Sequence, residues 1–308
     1  MTVIMDGKKL AELRLVETKN DLLALKDKYQ ITVKLVIVLV GNNDASLIYV
    51  NNKVAKANAI GINAEIIRLF EFIEEKKLLS VIDDLNYDST VHGIIVQLPL
   101  PPHIDALKIF ARIDSRKDVD GLNPINIGYL NIGANHGLIP CTALGCIDLL
   151  QYYVTNLKGK HVVVIGKSNI VGKPLSALLL RHSCTVTICH SATVDLALHT
   201  RTADIVISAV GKANFLTDKH FSGNLAFIDV GISHIYDLQS HKRKLVGDGD
   251  FFKIKNLVKF ITPVPGGVGP MTVAYLLKNT LTAAKLIYAS SIDNDDENTC
   301  VRIVIILL

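Results

Sequence analysis

"HVVVIGKSNIVGKPLSALLL", residues 161–180, decides the fold, because it joins a buried strand, a glycine-containing turn and a helix in one short stretch. The apolar run at 161–165 predicts a strand of a parallel sheet, and the apolar spacing after Pro174 predicts a helix. Gly166 and Gly172 bound the turn between them. Such a turn presents backbone N–H groups and the positive end of a helix dipole to a phosphate. We therefore predict a dinucleotide-binding domain of the Rossmann type around this stretch.

The next strand indicates which dinucleotide binds. "TVTICHSAT", residues 185–193, ends about 20 residues after the turn, where an NAD enzyme places an Asp or Glu on the ribose. His190 and Ser191 stand there instead, and Lys167 lies in the turn. A hydroxyl and a cation without a carboxylate favour NADP. The alternative is a structural His and Ser at a strand end. The turn itself departs from the G-x-G-x-x-G pattern, because Ser168 stands where the second glycine would be.

The rest of the chain repeats the alternation of strand and helix. Apolar, β-rich runs occur at 31–41, 91–101, 204–211 and 225–232, with helical patterns between them. A length of 308 residues suits two domains of about 150 residues each. The segment 103–140 is rich in Asp, Asn, Gly and Pro and breaks the alternation. We predict the α/β class, with two α/β domains and a cleft between them.

Composition indicates an ordinary globular protein. The net charge is +4, and the densest basic run, "HKRK" at 241–244, is interpreted as a solvated turn and not as a nucleic-acid site. No secretory signal and no apolar run of about 20 residues is found, so we expect a cytoplasmic protein that binds neither nucleic acid nor a membrane. Cysteine pairs at 141/146 and 184/189 raise the alternative of a zinc site. Positions five apart on a strand face opposite ways, so we predict buried thiols and no metal.

Polar side chains in the first half form a second candidate site. In the helical pattern at 46–61, apolar residues make a core face, and Ser46, Tyr49 and Lys53 make the adjoining stripe. An exposed helix can show such a stripe by chance. Gln97 ends a predicted parallel strand at the edge where such sheets bind ligands, and Asp120 follows in a loop with Asp118.

An irregular loop, "TPVPGGVGPMTV" at 262–273, holds three prolines and three glycines. Rigid prolines and glycines without side chains predict a wall against which a flat ligand lies close to the backbone. The alternative is a connector before a helix that begins with Pro270.

These segments carry a family resemblance. "YVNNK" (49–53), "IIVQLPLP" (94–101), "KDVDGLNP" (117–124), "IGKSNIVGKP" (165–174) and the loop at 262–273 resemble the bifunctional methylenetetrahydrofolate dehydrogenase/methenyltetrahydrofolate cyclohydrolase family. The likeness runs from Asp6 to about Ala284. It implies NADP-dependent oxidation of 5,10-methylenetetrahydrofolate to 5,10-methenyltetrahydrofolate, then hydrolysis to 10-formyltetrahydrofolate in the same pocket. It also implies a homodimer and a place in purine biosynthesis.

The resemblance assigns roles residue by residue. It implies that Lys53 serves proton transfer in hydrolysis, Gln97 bonds the Lys53 amine, Tyr49 stacks on the folate and Asp120 holds the pterin ring. The loop residues implied at the substrate are Pro265, Gly266 and Gly267. The cofactor-binding positions are Gly166, Lys167, Ser168, Gly172, Ser191 and Ile232. Lys167 stands where the family usually has Arg, and Ala192 where it has a basic residue, so one compact cation replaces a planar fork.

The expected domains are a folate-binding catalytic domain of residues 1–140 plus 270–308, to which the last helix returns, and an NADP-binding Rossmann domain of residues 141–269. "SSIDNDDENTC" (290–300) is interpreted as an acidic linker. The final "VRIVIILL" (301–308) is short and β-prone, which is typical of an edge strand, a dimer contact or an aggregation hazard and not of a membrane span.

Two other function classes fit less well. A monofunctional dehydrogenase would keep the turn at 166–172 but lose the Lys or Gln of the hydrolytic pair, and this chain has both. A module that only senses NADP or folate would not need "YVNNK" and "QLPLP" together.

Overall fold

The computed structural model describes residues 1–237 and 242–295, which form two parallel sheets, one antiparallel hairpin and the helices around them. The strands are β1 (Val3–Ile4), β2 (Lys34–Val40), β3 (Asn63–Leu69), β4 (Gly93–Val96), β5 (His161–Ile165), β6 (Thr185–Cys189), β7 (Ile205–Ser208), β8 (Ala226–Asp229), β9 (Ser233–Asp237), β10 (Lys242–Val246) and β11 (Phe260–Ile261). The helices are α1 (Gly7–Tyr29), α2 (Asp44–Ile60), α3 (Glu75–Tyr87), α4 (Ala106–Arg112), α5 (Pro124–Asn131), α6 (Cys141–Tyr153), α7 (Gly172–Arg181), α8 (Leu196–Arg201), α9 (Phe251–Ile254) and α10 (Val268–Asp295).

The first sheet has the order β3–β2–β4, with all three strands parallel. Its central strand β2 is buried at six of seven positions, as expected for a parallel strand covered on both faces. One face packs on α2 and α10, and the other on α3 and α4. The carboxyl ends of β2 and β4 therefore open on the same edge, and Gln97, directly after β4, lies there beside the middle of α2.

The second sheet has the order β1–β11–β8–β7–β5–β6, and every pair in it is parallel. The chain passes from β5 to β6 on one side and then crosses to β7 on the other. This reversal creates a crevice at the carboxyl end of β5, where doubly wound sheets bind ligands. The predicted pair of α/β domains, the second with a Rossmann-type parallel sheet, is confirmed.

The first strand pairs across the predicted domain boundary. Val3 and Ile4 pair in parallel with Phe260 and Ile261 of the second sheet, although residues 1–140 were assigned to the first domain. Pairing with β1 satisfies backbone groups of β11 that an edge strand would leave open. The N-terminus thus belongs to the second sheet, and α1 leads from it toward the first.

Helix α10 contributes to both cores. Met271 and Ala274 near its start pack in the core of the second sheet, whereas Leu277 and Leu281, further along, pack in the core of the first. The predicted acidic linker at 290–300 is wrong for its first part, because α10 continues through Asp295. The remainder of that segment and the stretch 301–308 lie outside the described residues.

The basic run at 241–244 is not simply a turn. Lys242, Arg243 and Lys244 begin β10, which pairs antiparallel with β9. Backbone pairing with the neighbouring strand overrides the low strand propensity of lysine. His241 lies outside the described residues.

Candidate active site

Helix α2 sets the positions of Tyr49 and Lys53. Asn43 caps the start of the helix, and the fully buried Val50 and Ala57 hold it against the first sheet. Tyr49 and Lys53 are four residues apart, so they lie one above the other beside this buried stripe. Both side chains are partly buried, as a pocket-lining stripe requires.

Lys53 and Gln97 are in direct contact. The Lys53 Nζ donates a hydrogen bond of 2.8 Å to Gln97 Oε1. The Gln97 Nε2 donates to the carbonyl oxygen of Leu98 at 2.6 Å, which fixes the amide with its oxygen toward the amine. The structure thus joins two sequence-predicted residues that are 44 positions apart.

The loop that carries Asp120 is held by helix α10. Asn279 Nδ2 donates to the carbonyl oxygens of Val119 at 3.0 Å and Ile139 at 2.9 Å. Cys141 Sγ donates to the same Val119 oxygen at 3.1 Å. Both Asn279 and Cys141 are buried, so these bonds fix the approach of Asp120 to the site.

Burial controls the charges in this cluster. It lowers the pKa of the Lys53 amine below the ordinary 10.5, and the nearby Asp120 carboxylate opposes that shift. It raises the pKa of Asp120, which the charge of Lys53 opposes in turn. Burial also raises the pKa of the Cys141 thiol well above its ordinary range. The Lys53 amine therefore becomes neutral at lower pH than a free lysine does.

Two cavities meet at α2. The smaller, which we call the amine cavity, measures about 130 Å³ and is lined by Lys53, Asp120 and Cys141 among others. The larger, which we call the cleft, measures about 230 Å³. The cleft is lined by Tyr49, Ile232, Pro265, Gly266 and Gly267 among others. Tyr49 and Lys53 are one helical turn apart, so the two cavities open close together.

The proline- and glycine-rich loop forms one wall of the cleft, and its fit is tight. Gly266 has a φ of +109°, which favours glycine, and a Cβ on Gly267 would lie 2.6 Å from the Pro263 oxygen. The start of α1 braces the loop, since the Lys8 N–H donates to Gly266 O at 3.0 Å. The alternative, a connector before a helix that begins with Pro270, differs from the structure in the position of the helix start, because α10 begins at Val268.

The turn after β5 is equally constrained. Gly166 has a φ of +120°, and a Cβ there would lie 2.5 Å from the Ala209 oxygen at the end of β7. A Cβ on Gly172 would overlap the Gly166 oxygen. Ser168 Oγ accepts hydrogen bonds from the N–H groups of Val171 at 3.2 Å and Gly172 at 3.3 Å. This serine therefore closes the turn by bonding the N–H groups just before and at the first residue of α7.

The turn has the groups that a dinucleotide phosphate needs. Within the part of the chain that the structure describes, the N–H groups of Lys167 and Ser168 donate to no protein acceptor. Lys167 and Ser191 are exposed and follow β5 and β6, whose last residues Ile165 and Cys189 pair directly. These predicted cofactor residues lie together at one end of the crevice, whereas Ile232 lies in the cleft.

Sequence reasoning missed several polar residues near the site. Asp229 and Asp248 are buried carboxylates beside the cleft, and Cys141 and Asn279 adjoin Asp120. A signal was present, because Asp229 ends an apolar strand and Asn279 interrupts an apolar helix. Buried polar groups require partners, so both positions pointed to a hydrogen-bond network.

The zinc alternative finds no geometric support in residues 1–237 and 242–295. No group of three or more His, Cys, Asp or Glu side chains is placed there to hold a metal ion. The four cysteines in these ranges are free and buried. Among the same residues, no helix has the length and apolar character needed to cross a membrane.

Comparison with known families agrees with this geometry. The model of the tetrahydrofolate dehydrogenase/cyclohydrolase catalytic domain matches residues 5–120, and that of the family's NAD(P)-binding domain matches residues 140–288. The chain belongs to this family. The catalytic-domain model of the family covers the first sheet and Lys53. The NAD(P)-binding model covers β5, β6 and the phosphate turn between them.

Relatives within the tetrahydrofolate dehydrogenase/cyclohydrolase family match over nearly the whole chain. "Bifunctional protein FolD" of Orientia tsutsugamushi (strain Ikeda) is 96% identical over 297 residues, covering 96% of this chain and 99% of that protein. "Bifunctional protein FolD" of Rickettsia bellii is 50% identical over 286 residues, covering 93% of this chain and 99% of that protein.

Solved structures of the family superimpose closely. The bifunctional FolD methylenetetrahydrofolate dehydrogenase/cyclohydrolase of Campylobacter jejuni has a TM-score of 0.88 at 45% identity, covering 93% of this chain and 99% of that one. The Trypanosoma brucei FolD, solved with NADP cofactor and inhibitor, has a TM-score of 0.87 at 36% identity, covering 94% and 98%.

Proposed function

We propose that this chain is a bifunctional one-carbon folate enzyme. It oxidises 5,10-methylenetetrahydrofolate to 5,10-methenyltetrahydrofolate with NADP, and it hydrolyses the product to 10-formyltetrahydrofolate. The observation that carries the proposal is the 2.8 Å bond between Lys53 and Gln97 in a cavity beside the cleft. A dehydrogenase alone has no use for a buried amine of lowered pKa, whereas hydrolysis needs a base.

Hydride transfer depends on alignment. When bound, NADP supplies the acceptor for the hydride that leaves the methylene carbon. Tyr49 offers a ring face on α2, and the Pro265–Gly267 wall lets a flat ring approach the backbone across the cleft. Ile232 fills the side of the cleft nearest the end of β8. Positioning the two rings for hydride transfer requires no proton transfer, so this half-reaction does not depend on the ionisation of Lys53.

Hydrolysis depends on the neutral amine of Lys53. Water adds to the methenyl carbon, and the amine accepts a proton from it. The ammonium then protonates the ring nitrogen as its bond to the carbon breaks. The hydroxyl left on the carbon loses its remaining proton to solvent and becomes the formyl oxygen, so hydrolysis of the cation releases one proton overall. Gln97 orients the amine through its carbonyl oxygen without adding a negative charge, which would stabilise the ammonium. Asp120, which also lines the amine cavity, bonds the N–H edge of the pterin ring in this proposal.

The phosphate turn fits NADP. Gly166 and Gly172 let the backbone close tightly, and Ser168 Oγ bonds the N–H groups at the start of α7. The N–H groups of Lys167 and Ser168 donate to no protein acceptor in the described ranges. Ser191 follows β6 with no carboxylate at the neighbouring positions 190–193, so a ribose phosphate meets a hydroxyl and one lysine.

The proposal includes the finer expectations of the family resemblance. The chain works as a homodimer in the cytoplasm, and its 10-formyl product serves purine biosynthesis. Residues 1–140 with 270–308 form the folate-binding part, and residues 141–269 form the NADP-binding part. Strand β1 is an exception, because it pairs with β11 of the second sheet. The packing of Leu277 and Leu281 with the first core supports the return of the last helix.

One assay tests the activity. The purified protein is mixed with methylenetetrahydrofolate and NADP, and the absorbances of NADPH and of methenyltetrahydrofolate are followed together. We expect NADPH to rise continuously while the methenyl signal stays low or transient. A methenyl signal that rises in step with NADPH would mean a dehydrogenase alone. No change in either signal would contradict the enzyme assignment.

A further inference from the structure

Two buried carboxylates lie where the second sheet meets the cleft. Asp229 is the last residue of β8 and lines the cleft together with Ile232. Asp248 lies in the loop after β10. The side chains are almost inaccessible, with exposures of 4% for Asp229 and 0% for Asp248. The proposed chemistry uses neither of them, so their burial requires another explanation.

Asp229 gathers N–H groups from two loops. Its Oδ1 accepts from the N–H groups of Gly231 at 3.0 Å and Asp248 at 2.9 Å, and its Oδ2 accepts from that of Gly249 at 2.8 Å. Its own N–H donates to Thr262 Oγ1 at 2.8 Å, at the foot of the cleft loop. One carboxylate thus connects the segment before Ile232 to the loop at 247–249.

Asp248 accepts hydrogen bonds from a third segment. Its Oδ2 accepts from Ser208 Oγ and from the Val210 N–H, both at 2.8 Å, and its Oδ1 accepts from the Lys212 N–H at 2.9 Å. These three donors belong to the end of β7 and the loop after it. That loop includes Ala209, whose carbonyl oxygen lies against Gly166 of the phosphate turn.

The two carboxylates interlock through two glycines. A Cβ on Gly231 would overlap the Asp248 carboxylate, and a Cβ on Gly247 would overlap the Asp229 carboxylate. The loops at 208–212, 229–232 and 247–249 are therefore fixed to one another in a single arrangement. All three lie at the carboxyl edge of the sheet, on the side where a dinucleotide binds.

We infer that Asp229 and Asp248 are positioning residues for the nicotinamide end of the cofactor. They hold Gly231 and Ile232 against the cleft, and through Ala209 they hold the loop that supports the phosphate turn. This inference rests on the proposed function, since it takes the cleft as the place of hydride transfer. It predicts a defect in the cofactor-dependent reaction and not in hydrolysis, because Lys53 and Gln97 lie in the other cavity.

The test is Asp229→Asn, with both reactions measured on one preparation. An amide keeps one acceptor oxygen but turns an NH₂ group toward backbone donors, so at least one of the three bonds is lost. We expect the KM for NADP to rise about tenfold. Cyclohydrolase activity, measured on methenyltetrahydrofolate without NADP, should change less than about twofold.

A matched control is Asp204→Asn, which removes a carboxylate that bonds the His161 N–H at 2.9 Å at the opposite end of the same sheet. Its KM for NADP should equal that of the wild type. If Asp229→Asn fails to fold, Ser208→Ala is the test of the inference, because it removes only one hydrogen-bond donor to Asp248. We expect it to raise the KM for NADP about threefold with hydrolysis retained.

Two outcomes would overturn the inference. One is an unchanged KM for NADP in the folded variants, and the other is an equal loss of both activities in proportion to a lower melting temperature. A wild-type protein that does not reduce NADP would instead count against the proposed function. The two failures are therefore distinguishable.

Discussion

Lys53 is the residue on which the two proposed activities separate. A free lysine is almost wholly protonated at neutral pH and cannot act as a base. Burial lowers its pKa, and the side-chain hydrogen bond that its amine makes among the described residues is to the neutral amide of Gln97. The same amine has no part in hydride transfer, which needs alignment alone.

Replacement of Lys53 by Met should therefore abolish hydrolysis while folding and folate binding persist. We expect cyclohydrolase activity to fall at least about a hundredfold, the usual contribution of a positioned base. Dehydrogenase activity should fall less, so that methenyltetrahydrofolate accumulates. The control is Lys19→Met, an exposed lysine of α1. Hydrolysis of authentic methenyltetrahydrofolate at the wild-type rate above background would remove Lys53 from the mechanism.

Gln97→Glu tests the requirement for a neutral partner. In the wild type, hydrolysis should rise with pH through the pKa of Lys53 and level off below the ordinary value of 10.5, because only the neutral amine accepts a proton. A Glu carboxylate would stabilise the ammonium, so the inflection of the pH–rate profile should move to higher pH. The dehydrogenase profile should not follow this shift. An unchanged inflection in the variant would show that Gln97 does not control the charge.

At the scale of elements, the strand–turn–helix from β5 to α7 and the end of β6 act as one unit. Direct pairing of β5 with β6 brings Lys167 and Ser191 to neighbouring strand ends. In the proposed complex with NADP, a phosphate on the ribose would therefore meet a hydroxyl and an ammonium in the same crevice. A lone lysine is a compact point charge and cannot bind a phosphate bidentately as an arginine does, so the proposal assigns the preference for NADP to both groups.

We expect kcat/KM to be higher for NADP than for NAD. Ser191→Asp should reduce the ratio of kcat/KM for NADP to kcat/KM for NAD at least about tenfold. A carboxylate repels the ribose phosphate of NADP and bonds the free ribose hydroxyls of NAD. Hydrolysis assayed without cofactor is the internal control and should be retained. Comparable specificity constants for the two cofactors in the wild type would refute the assignment.

Helix α10 makes a second element-scale prediction. Among the residues of α10 whose burial the structure describes, 268–288, the last in a buried core are Ala283 and Ala284. Deletion of residues 293–308 should therefore leave both activities and the melting temperature within experimental error of the full chain. Loss of activity in a deletion variant that still folds would show that this stretch contributes to the site.

At the scale of the whole molecule, buried carboxylates make stability depend on pH. Burial raises the pKa of Asp118 from 3.8 to about 6, against the bonds it accepts from the Asn123 N–H at 2.7 Å and Asn126 Nδ2 at 2.9 Å. Between these two values the unfolded chain loses the proton and the folded chain keeps it. Stability from this group is therefore full below about pH 4 and is lost as the pH rises through about 6.

Asp118→Asn should remove this dependence, because an amide oxygen still accepts from both partners and does not ionise. As the pH rises from about 4 to neutral, the free energy of unfolding of the variant should increase relative to that of the wild type by up to about 3 kcal/mol. Urea unfolding at several pH values measures the difference, with Asp21→Asn, an exposed carboxylate of α1, as the control. Parallel pH curves for Asp118→Asn and the wild type would contradict the assignment.

The sequence by itself determined the two α/β domains and the phosphate turn, whereas the assignment of Tyr49, Lys53, Gln97 and Asp120 to one site came from the family resemblance. Local patterns are sufficient for the domains and the turn, because burial imposes a period on each strand and helix and glycine permits the backbone conformation of a tight turn. The helix α2 and the strand β5 are examples, since each carries its own signal within fewer than about 20 residues.

Only the tertiary structure decided which distant segments meet. The pairing of Val3–Ile4 with β11, the bonds from Asn279 to the Asp120 loop and the interlocked Asp229 and Asp248 join residues far apart in the chain. No local period encodes these contacts. They exist because buried N–H and carboxylate groups must find partners once water is excluded, and only the packed fold determines which partners are within reach.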